Sequence, residues 1–274
     1  MFDTVIEMLS YPFMTRAFLV GSLVALCSAL LGVSLVLKRY SMIGDGLSHV
    51  GFGAMAIAAA MNAAPLTVAI PVVIVAAILL LRISGNAKIK GDAAIALIST
   101  TSLAVGVMVI SLTTGMNTDV YNYMFGSILA MSAEDVKLSL VLSVFVLILF
   151  IVFYHKIFAI TFDETFARAT GVKAGVYNTL IAVLTAVTIV LGMRMMGALL
   201  ISSLIIFPAL TSMRVCRTFK SVIINAAVIS VVCLIAGVTL SYGAATPAGA
   251  SVVLANLVMM VLYTVVGAVK NHMR

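Results

Sequence analysis

Charged residues are scarce in this sequence. Only 9% of its 274 residues are charged and 64% are hydrophobic, whereas a soluble domain carries about 25% charged residues. This shortage excludes an ordinary soluble domain. Nine acidic residues stand against 16 lysines and arginines, so the formal net charge is +7. Since basic residues of membrane proteins collect in cytoplasmic loops, the excess charge is explained without nucleic acid as a partner.

Motifs of catalysis and of tight metal binding are also missing. The three cysteines, Cys27, Cys216 and Cys233, form no CxxC pair and are expected to be small hydrophobic residues rather than disulfides or metal ligands. The sequence has no GxxxxGK[ST] motif for ATP and no HExxH motif of a zinc protease. No nucleophile–base constellation appears, so an enzyme is disfavoured, and we expect no cofactor bound by this chain.

Long apolar runs fill almost the whole chain, and each is close to the roughly 20 residues that a helix needs to cross a bilayer. They predict an all-α, polytopic membrane protein, a single transmembrane domain over residues 1–274. The sixth and seventh runs are short and nearly contiguous, so eight helices with one broken element is the alternative to nine. The runs are 17–37, 42–61, 66–81, 93–112, 138–154, 177–192, 195–210, 222–240 and 250–269.

The distribution of lysine and arginine predicts the orientation. With nine spans, 13 basic residues fall in one set of loops and 3 in the other. The side richer in basic residues is expected to be cytoplasmic, which places the N-terminus outside the cell and the C-terminus in the cytoplasm. The location predicted for the protein is the cell membrane of a prokaryote. The three exceptions are Arg16, Lys137 and Arg194.

Two connecting segments are too long for simple turns. On the outer side, Tyr121–Met131 is too short to span and fits an interfacial or re-entrant segment. Ser132 followed by Asp135 is typical of the start of the next helix.

The inner segment 155–175 predicts a short cytoplasmic helix. Thr161 and Glu164 have the spacing of a capping box, Asp163 adds a second anion near the helix start, and Gly171 is a natural stop.

Two aromatic residues of this segment, Phe162 and Phe166, are four apart and are expected to share one face of that helix. Two interpretations stay open: a helix lying on the lipid surface, or a docking element for a cytoplasmic partner.

Only two ionisable side chains lie clearly within a predicted span, Asp45 and His49. Four residues apart, they share a helix face. Counting from Arg39, we expect Asp45 at a depth of about 9 Å and His49 near the midplane. A charge at that depth is costly unless it is paired or faces a cavity. The pair is either a packing feature or part of a path for a divalent cation such as Zn²⁺ or Mn²⁺, for which carboxylate and imidazole are suitable ligands.

These residues give the chain a resemblance to the permease subunit of ATP-binding-cassette importers for zinc and manganese, above all to zinc-type permeases. The likeness covers most of the chain. Its matching stretches are Leu37–His49, Asn117–Gly126, Phe162–Gly171, Gly197–Ala209 and Thr246–Leu254.

The resemblance implies four partners: a second copy of the chain, a cytoplasmic P-loop ATPase dimer that uses ATP, an extracytoplasmic metal-binding protein and membrane lipid. It assigns Asp45 and His49 to the metal path. It also implies an ATPase-coupling helix, whose residues are Thr161, Phe162, Asp163, Glu164, Phe166, Arg168 and Gly171.

One position departs from the pattern. Members of the family often carry Asp before the Thr-Pro-x-Gly motif, where this chain has Ala245, so a carboxylate of an outer site is missing. The sequence thus predicts the membrane subunit of a zinc importer. The alternatives are a manganese or iron importer of the same family, and a secondary transporter or channel that needs no ATPase.

Overall fold

The computed structural model describes residues 10–84, 91–113 and 132–272, and this part of the chain is helical, with no strand. The helices are α1 (Pro12–Leu37), α2 (Ile43–Ala60), α3 (Pro65–Ser84), α4 (Gly91–Leu112), α5 (Ala133–Val152), α6 (Tyr154–Phe162), α7 (Glu164–Ala169), α8 (Ala174–Met196), α9 (Ala198–Met213), α10 (Phe219–Ala244) and α11 (Ala248–His272).

Eight of these helices are long and apolar enough to cross a membrane, namely α1 to α5, α8, α10 and α11. This confirms the prediction of a polytopic helical membrane protein. Helix α9 is also apolar but has only 16 residues, about 24 Å at 1.5 Å per residue. The nine apolar runs therefore correspond to eight long helices and one short helix.

The short helix α9 is separated from α8 by a single residue. Gly197 has φ 86° and ψ 161°, a backbone conformation that is essentially restricted to glycine. The break therefore lies at Gly197, and α8 continues through Arg194, which the sequence analysis placed in a loop.

The centre of the bundle is formed by α1, α2, α8 and α9, and α1 packs against α8, α9 and α10. Helix α1 approaches α9 so closely that a Cβ on Gly32 would lie 2.1 Å from the carbonyl oxygen of Ile205. Small residues of this kind let helix backbones pack closely. Close packing matters in a bilayer because lipid tails are as apolar as the side chains, so no hydrophobic driving force brings the helices together. The outer helices, such as α11, expose rows of valine and leucine, as lipid-facing helices do.

The two ends of the bundle carry different polar groups. We call the end at which α1 and α3 finish and α8 begins the Lys38 end. At the opposite end, Asp135 and Ser132 form the predicted capping box of α5. The same Asp135 carboxylate lies 3.8 Å from the guanidinium of Arg194 in α8, and this ion pair explains how an arginine fits inside a membrane helix.

Candidate metal path and coupling segment

The intramembrane pair forms as predicted. Asp45 and His49 both lie on α2, with Oδ2 of Asp45 3.7 Å from Nε2 of His49. Their side chains are 46% and 23% exposed, so both keep open coordination positions. The next residue on this helix face is Phe52, which is fully buried. The exposed part of this helix face therefore ends at His49, one turn before the buried Phe52.

The position of the pair along α2 follows from the helix start. Helix α2 begins at Ile43, next to the predicted start at residue 42, after the chain turns through a left-handed residue at Arg39, φ 63°. Asp45 thus lies in the first turn of α2, and His49 about 9 Å along the axis from Ile43. The depths in the bilayer that were counted from Arg39 stay predictions.

Close helix contacts fix the backbone around Asp45. A Cβ on Gly46 would lie 2.5 Å from Cγ2 of Ile95 in α4, and one on Gly44 would lie 3.0 Å from Cδ1 of Ile205 in α9. The hydroxyl of Ser48 donates to the carbonyl of Asp45 at 2.7 Å. The carboxylate is therefore held on a helix wedged between two neighbours.

Two protein ligands do not make a tight metal site. Within residues 10–84, 91–113 and 132–272, no group of three or more His, Cys, Asp and Glu side chains could hold a metal ion. Tight zinc sites use three or four protein ligands. One nitrogen and one carboxylate with open positions are suited to transient contact with a passing divalent ion, which must also be released.

The predicted coupling helix is two short helices instead of one. Asp163 separates them with φ −147° and ψ 95°, and its carboxylate accepts a hydrogen bond from the backbone N–H of Phe166 at 2.9 Å. Asp163 is therefore the N-cap of α7, and the predicted Thr161–Glu164 capping box is wrong. The Thr161 hydroxyl donates instead to the carbonyl of Ile157 within α6, at 2.6 Å.

The end of α7 matches the prediction. Gly171 has φ 85°, its N–H donates to the carbonyl of Arg168, and the N–H of Val172 donates to the carbonyl of Ala167. These two bonds are those of a Schellman motif, in which glycine takes the left-handed position.

The two phenylalanines lie on different helices, so they do not share a face of one helix. Phe162 ends α6 and Phe166 lies in α7, and both are well exposed, at 59% and 66%. The Phe162 ring packs edge-on against Phe219, with ring centroids 5.7 Å apart, and Phe219 is buried. An exposed aromatic surface thus remains, anchored on its inner side by Phe219.

A polar cluster fastens α7 to the bundle. Oε2 of Glu164 accepts hydrogen bonds from Nζ of Lys38 at 3.2 Å and from Nδ2 of Asn178 at 3.0 Å. Nζ of Lys38 also donates to Oδ1 of Asn178 at 2.6 Å and to the carbonyl of Ile160. Oε1 of Glu164 accepts from Arg168. The cluster joins α1, α6, α7 and α8.

The cluster changes the acidity of its members. Partial burial raises the pKa of Glu164, but hydrogen bonds from Asn178, Arg168 and Lys38 together outweigh burial and bring that pKa down to about 2. Burial lowers the pKa of Lys38, and Glu164 opposes this change. The carboxylate therefore stays ionised at any physiological pH.

No sequence pattern singled out Lys38 and Asn178. Lys38 follows a predicted span as loop cations do, although its side chain is 11% exposed. The partners lie 126 and 140 residues away along the chain, and no local spacing reveals a contact of that kind.

Two further predictions concern Ala245 and the segment between α4 and α5. Ala245 follows α10 in a left-handed conformation, φ 50° and ψ 41°, which aspartate adopts more readily than alanine. The segments Asn117–Gly126 and Tyr121–Met131 lie outside the described residues.

Comparison with known proteins supplies the remaining findings. The model of the ABC 3 transport family matches residues 10–267. The high-affinity zinc uptake system membrane protein of Haemophilus influenzae is 30% identical over 246 residues, which is 90% of this chain and 94% of that protein. The manganese transport system membrane protein of Halalkalibacterium halodurans is 28% identical over 248 residues, covering 90% and 85%.

A solved structure has the same architecture. The chain is similar to a chain of PsaBC from Streptococcus pneumoniae, solved in complex with Fab, with a TM-score of 0.85 and 26% identity. The likeness covers 95% of this chain and 94% of that chain.

Proposed function

This chain belongs to the ABC 3 transport family and is the multi-pass membrane subunit of a metal importer, in which a separate ATPase uses the ATP; we propose that its cargo is zinc in preference to manganese. The subunit is not itself an enzyme. Family membership favours this importer over the self-sufficient transporter or channel.

The proposed metal path passes Asp45 and His49. The observation that carries this proposal is their geometry: carboxylate and imidazole 3.7 Å apart, both partly exposed, on one face of a membrane helix. A buried structural pair has no need of open coordination positions, whereas a transported ion must exchange its ligands as it moves. Nitrogen–oxygen sites bind Zn²⁺ more strongly than Mn²⁺ in raw affinity.

Uptake by single variants tests the path. Asp45→Ala and His49→Ala should each abolish metal uptake while the complex still assembles. Asp92→Ala is the matched control, since Asp92 is exposed and lies outside the pair, and this variant should transport normally. Normal uptake by the Asp45 and His49 variants would reduce the pair to a packing feature.

The cargo is tested separately. A strain lacking this chain should grow poorly under zinc limitation, and its uptake of zinc should fall more than its uptake of manganese. Selectivity could be shared with an extracytoplasmic metal-binding protein, which we propose as a partner at the end of the bundle opposite Lys38. A defect confined to manganese would overturn the zinc proposal and leave the family assignment intact.

The Lys38 end is proposed to face the cytoplasm, where α6 and α7 dock the ATPase of a homodimeric permease. Exposed Phe162 and Phe166 on a segment fastened to the core by Glu164 support this proposal. A cysteine introduced by His272→Cys in a variant lacking Cys216 should react with impermeant reagents only from the cytoplasmic side. Labelling of intact cells from outside would reverse the orientation.

A further inference from the structure

A cavity of about 450 Å³ opens at the Lys38 end between two membrane helices and the coupling segment. It is bounded by the end of α3, the start of α8, the connection after α1 and helix α7. Its polar walls come from Tyr40, Arg82, Glu164, Arg168, Asn178 and Thr179. Neither the metal path nor the exposed aromatic surface uses this cavity.

The walls of the cavity carry an excess of positive charge. Two guanidiniums, Arg82 and Arg168, face one carboxylate, and that carboxylate, Glu164, is already bonded to Arg168 and to Lys38. Arg82 is exposed and has no ion pair with any residue in the described part of the chain. Its five N–H donors are therefore available for an anion.

Further donors converge on the same space. Arg168 uses one of its nitrogens for Glu164 and keeps its remaining N–H groups. Burial and then the neighbouring Glu164 charge raise the pKa of Tyr40, so that its hydroxyl stays protonated and able to donate. Guanidinium groups bind phosphate in a bidentate manner, as a lysine ammonium does not.

The position of the cavity indicates the source of the phosphate. Arg82 lies one residue before the end of the span Pro65–Ile83, and Thr179 lies in the second turn of the span Ala174–Met196. The cavity is thus at the membrane boundary, and Ile78 and Leu81 form an apolar wall on its membrane side. Basic pockets between membrane helices at such a boundary are binding sites for lipid headgroups.

We propose that this cavity binds the phosphate headgroup of an anionic phospholipid, with Arg82 and Arg168 as its ligands. The bound headgroup neutralises Arg82 and lies beside the Glu164 cluster that fastens α7. Lipid bound there would steady the coupling segment without touching the metal path. The proposal depends only on the cavity and the membrane boundary, so it stands apart from the nature of the cargo.

The test uses the full chain purified in non-ionic detergent and depleted of lipid. Phosphatidylglycerol and phosphatidylethanolamine are added to the wild type, Arg82→Gln and Arg217→Gln, and bound lipid is counted by native mass spectrometry. Arg217 is a matched control, an exposed arginine between α9 and α10 outside the cavity. Arg82→Gln should weaken phosphatidylglycerol binding about fivefold, the contribution of one basic residue at an anionic lipid surface, and Arg217→Gln less than twofold.

Other outcomes would overturn the proposal. Equal binding of the two lipids by the wild type would mean that headgroup charge is not recognised, and equal effects of the two substitutions would mean general surface attraction. Displacement of the lipid by millimolar inorganic phosphate or ATP would assign the cavity to a soluble anion, and displacement by the purified ATPase would assign it to a protein contact. Arg82→Lys keeps the charge but not the bidentate geometry; it should restore part of the binding, which excludes misfolding as the cause.

Discussion

The ammonium of Lys38 and the carboxylate of Glu164 lie 3.2 Å apart, although 126 residues separate them in sequence. Lys38 directly follows α1, and Asp45 comes seven residues later, in the first turn of α2. A displacement of α7 would therefore act on the connection that leads into the proposed metal pair. This contact joins the proposed coupling segment to the proposed path.

Removing the charge of Glu164 should loosen that link. Glu164→Gln keeps the shape of the side chain but leaves the largely buried Lys38 without its carboxylate partner. We expect a loss of about 2 kcal/mol, less than the 3–5 kcal/mol for a fully buried pair because Glu164 is partly exposed. Denaturation in detergent measures the loss.

The control for this substitution is Glu134→Gln at the opposite end of the bundle. Glu134 is exposed in the first turn of α5, where the helix dipole makes its charge worth about 0.5 kcal/mol. If both substitutions cost the same, the Glu164 cluster contributes nothing beyond an ordinary surface charge.

Acid should weaken the same contact. The pKa of Glu164 is about 2 in the folded protein against an ordinary value of 4.5, so the unfolded chain takes up this proton first as the pH falls. The stabilisation is complete above pH 4.5 and decreases progressively toward pH 2. The difference in melting temperature between the wild type and Glu164→Gln should therefore shrink steadily as the pH falls from 5 to 3. A difference that stays constant over this range would contradict the low pKa.

Substitutions of two phenylalanines should separate docking from folding. Phe166 is 66% exposed, so Phe166→Ala should reduce ATPase binding while changing stability by less than about 0.5 kcal/mol. Phe219 is buried among the rings of Tyr154, Phe158 and Phe162, and Phe219→Ala should cost about 3–5 kcal/mol. Co-purification with the ATPase measures the first effect and detergent denaturation the second.

The two variants should differ in which property changes: Phe166→Ala should lose ATPase binding, and Phe219→Ala should lose stability. If Phe166→Ala binds the ATPase normally, α7 is only a surface element. Phe162 is less suitable for this test because its ring also contacts Phe219, which mixes the two effects.

Apolar run length predicted the membrane helices well, because a bilayer imposes nearly the same length on each of them. At the sixth and seventh runs it predicted a break but placed it a few residues too early. Arg194 suggested a helix end, whereas its pairing with Asp135 keeps it inside α8. The break lies instead at Gly197, where the helix ends because of the backbone conformation of glycine and not because of a polar side chain.

Some features of the candidate site were likewise predictable from the sequence and others were not. The Asp45–His49 contact follows from helical spacing alone and was predictable. The coupling segment was predicted as one helix because Thr161 fits a capping pattern, yet Asp163 is an equally good cap and starts α7 two residues later. The cluster of Lys38, Glu164 and Asn178 depends on contacts between distant segments, which a single sequence does not contain.

The left-handed conformation of Ala245 leads to the last prediction. A residue with a Cβ is destabilised by roughly 1–2 kcal/mol at such a position. Replacement by glycine removes this cost, but part of the gain is lost because glycine has greater freedom in the unfolded chain. Ala245→Gly should therefore raise stability by up to about 1 kcal/mol. The control is Ala236→Gly, at an exposed position inside the same helix α10, which should lower stability by about 1 kcal/mol. Denaturation of both variants in one detergent gives the comparison; a decrease of the same size in both would show that Ala245 bears no strain.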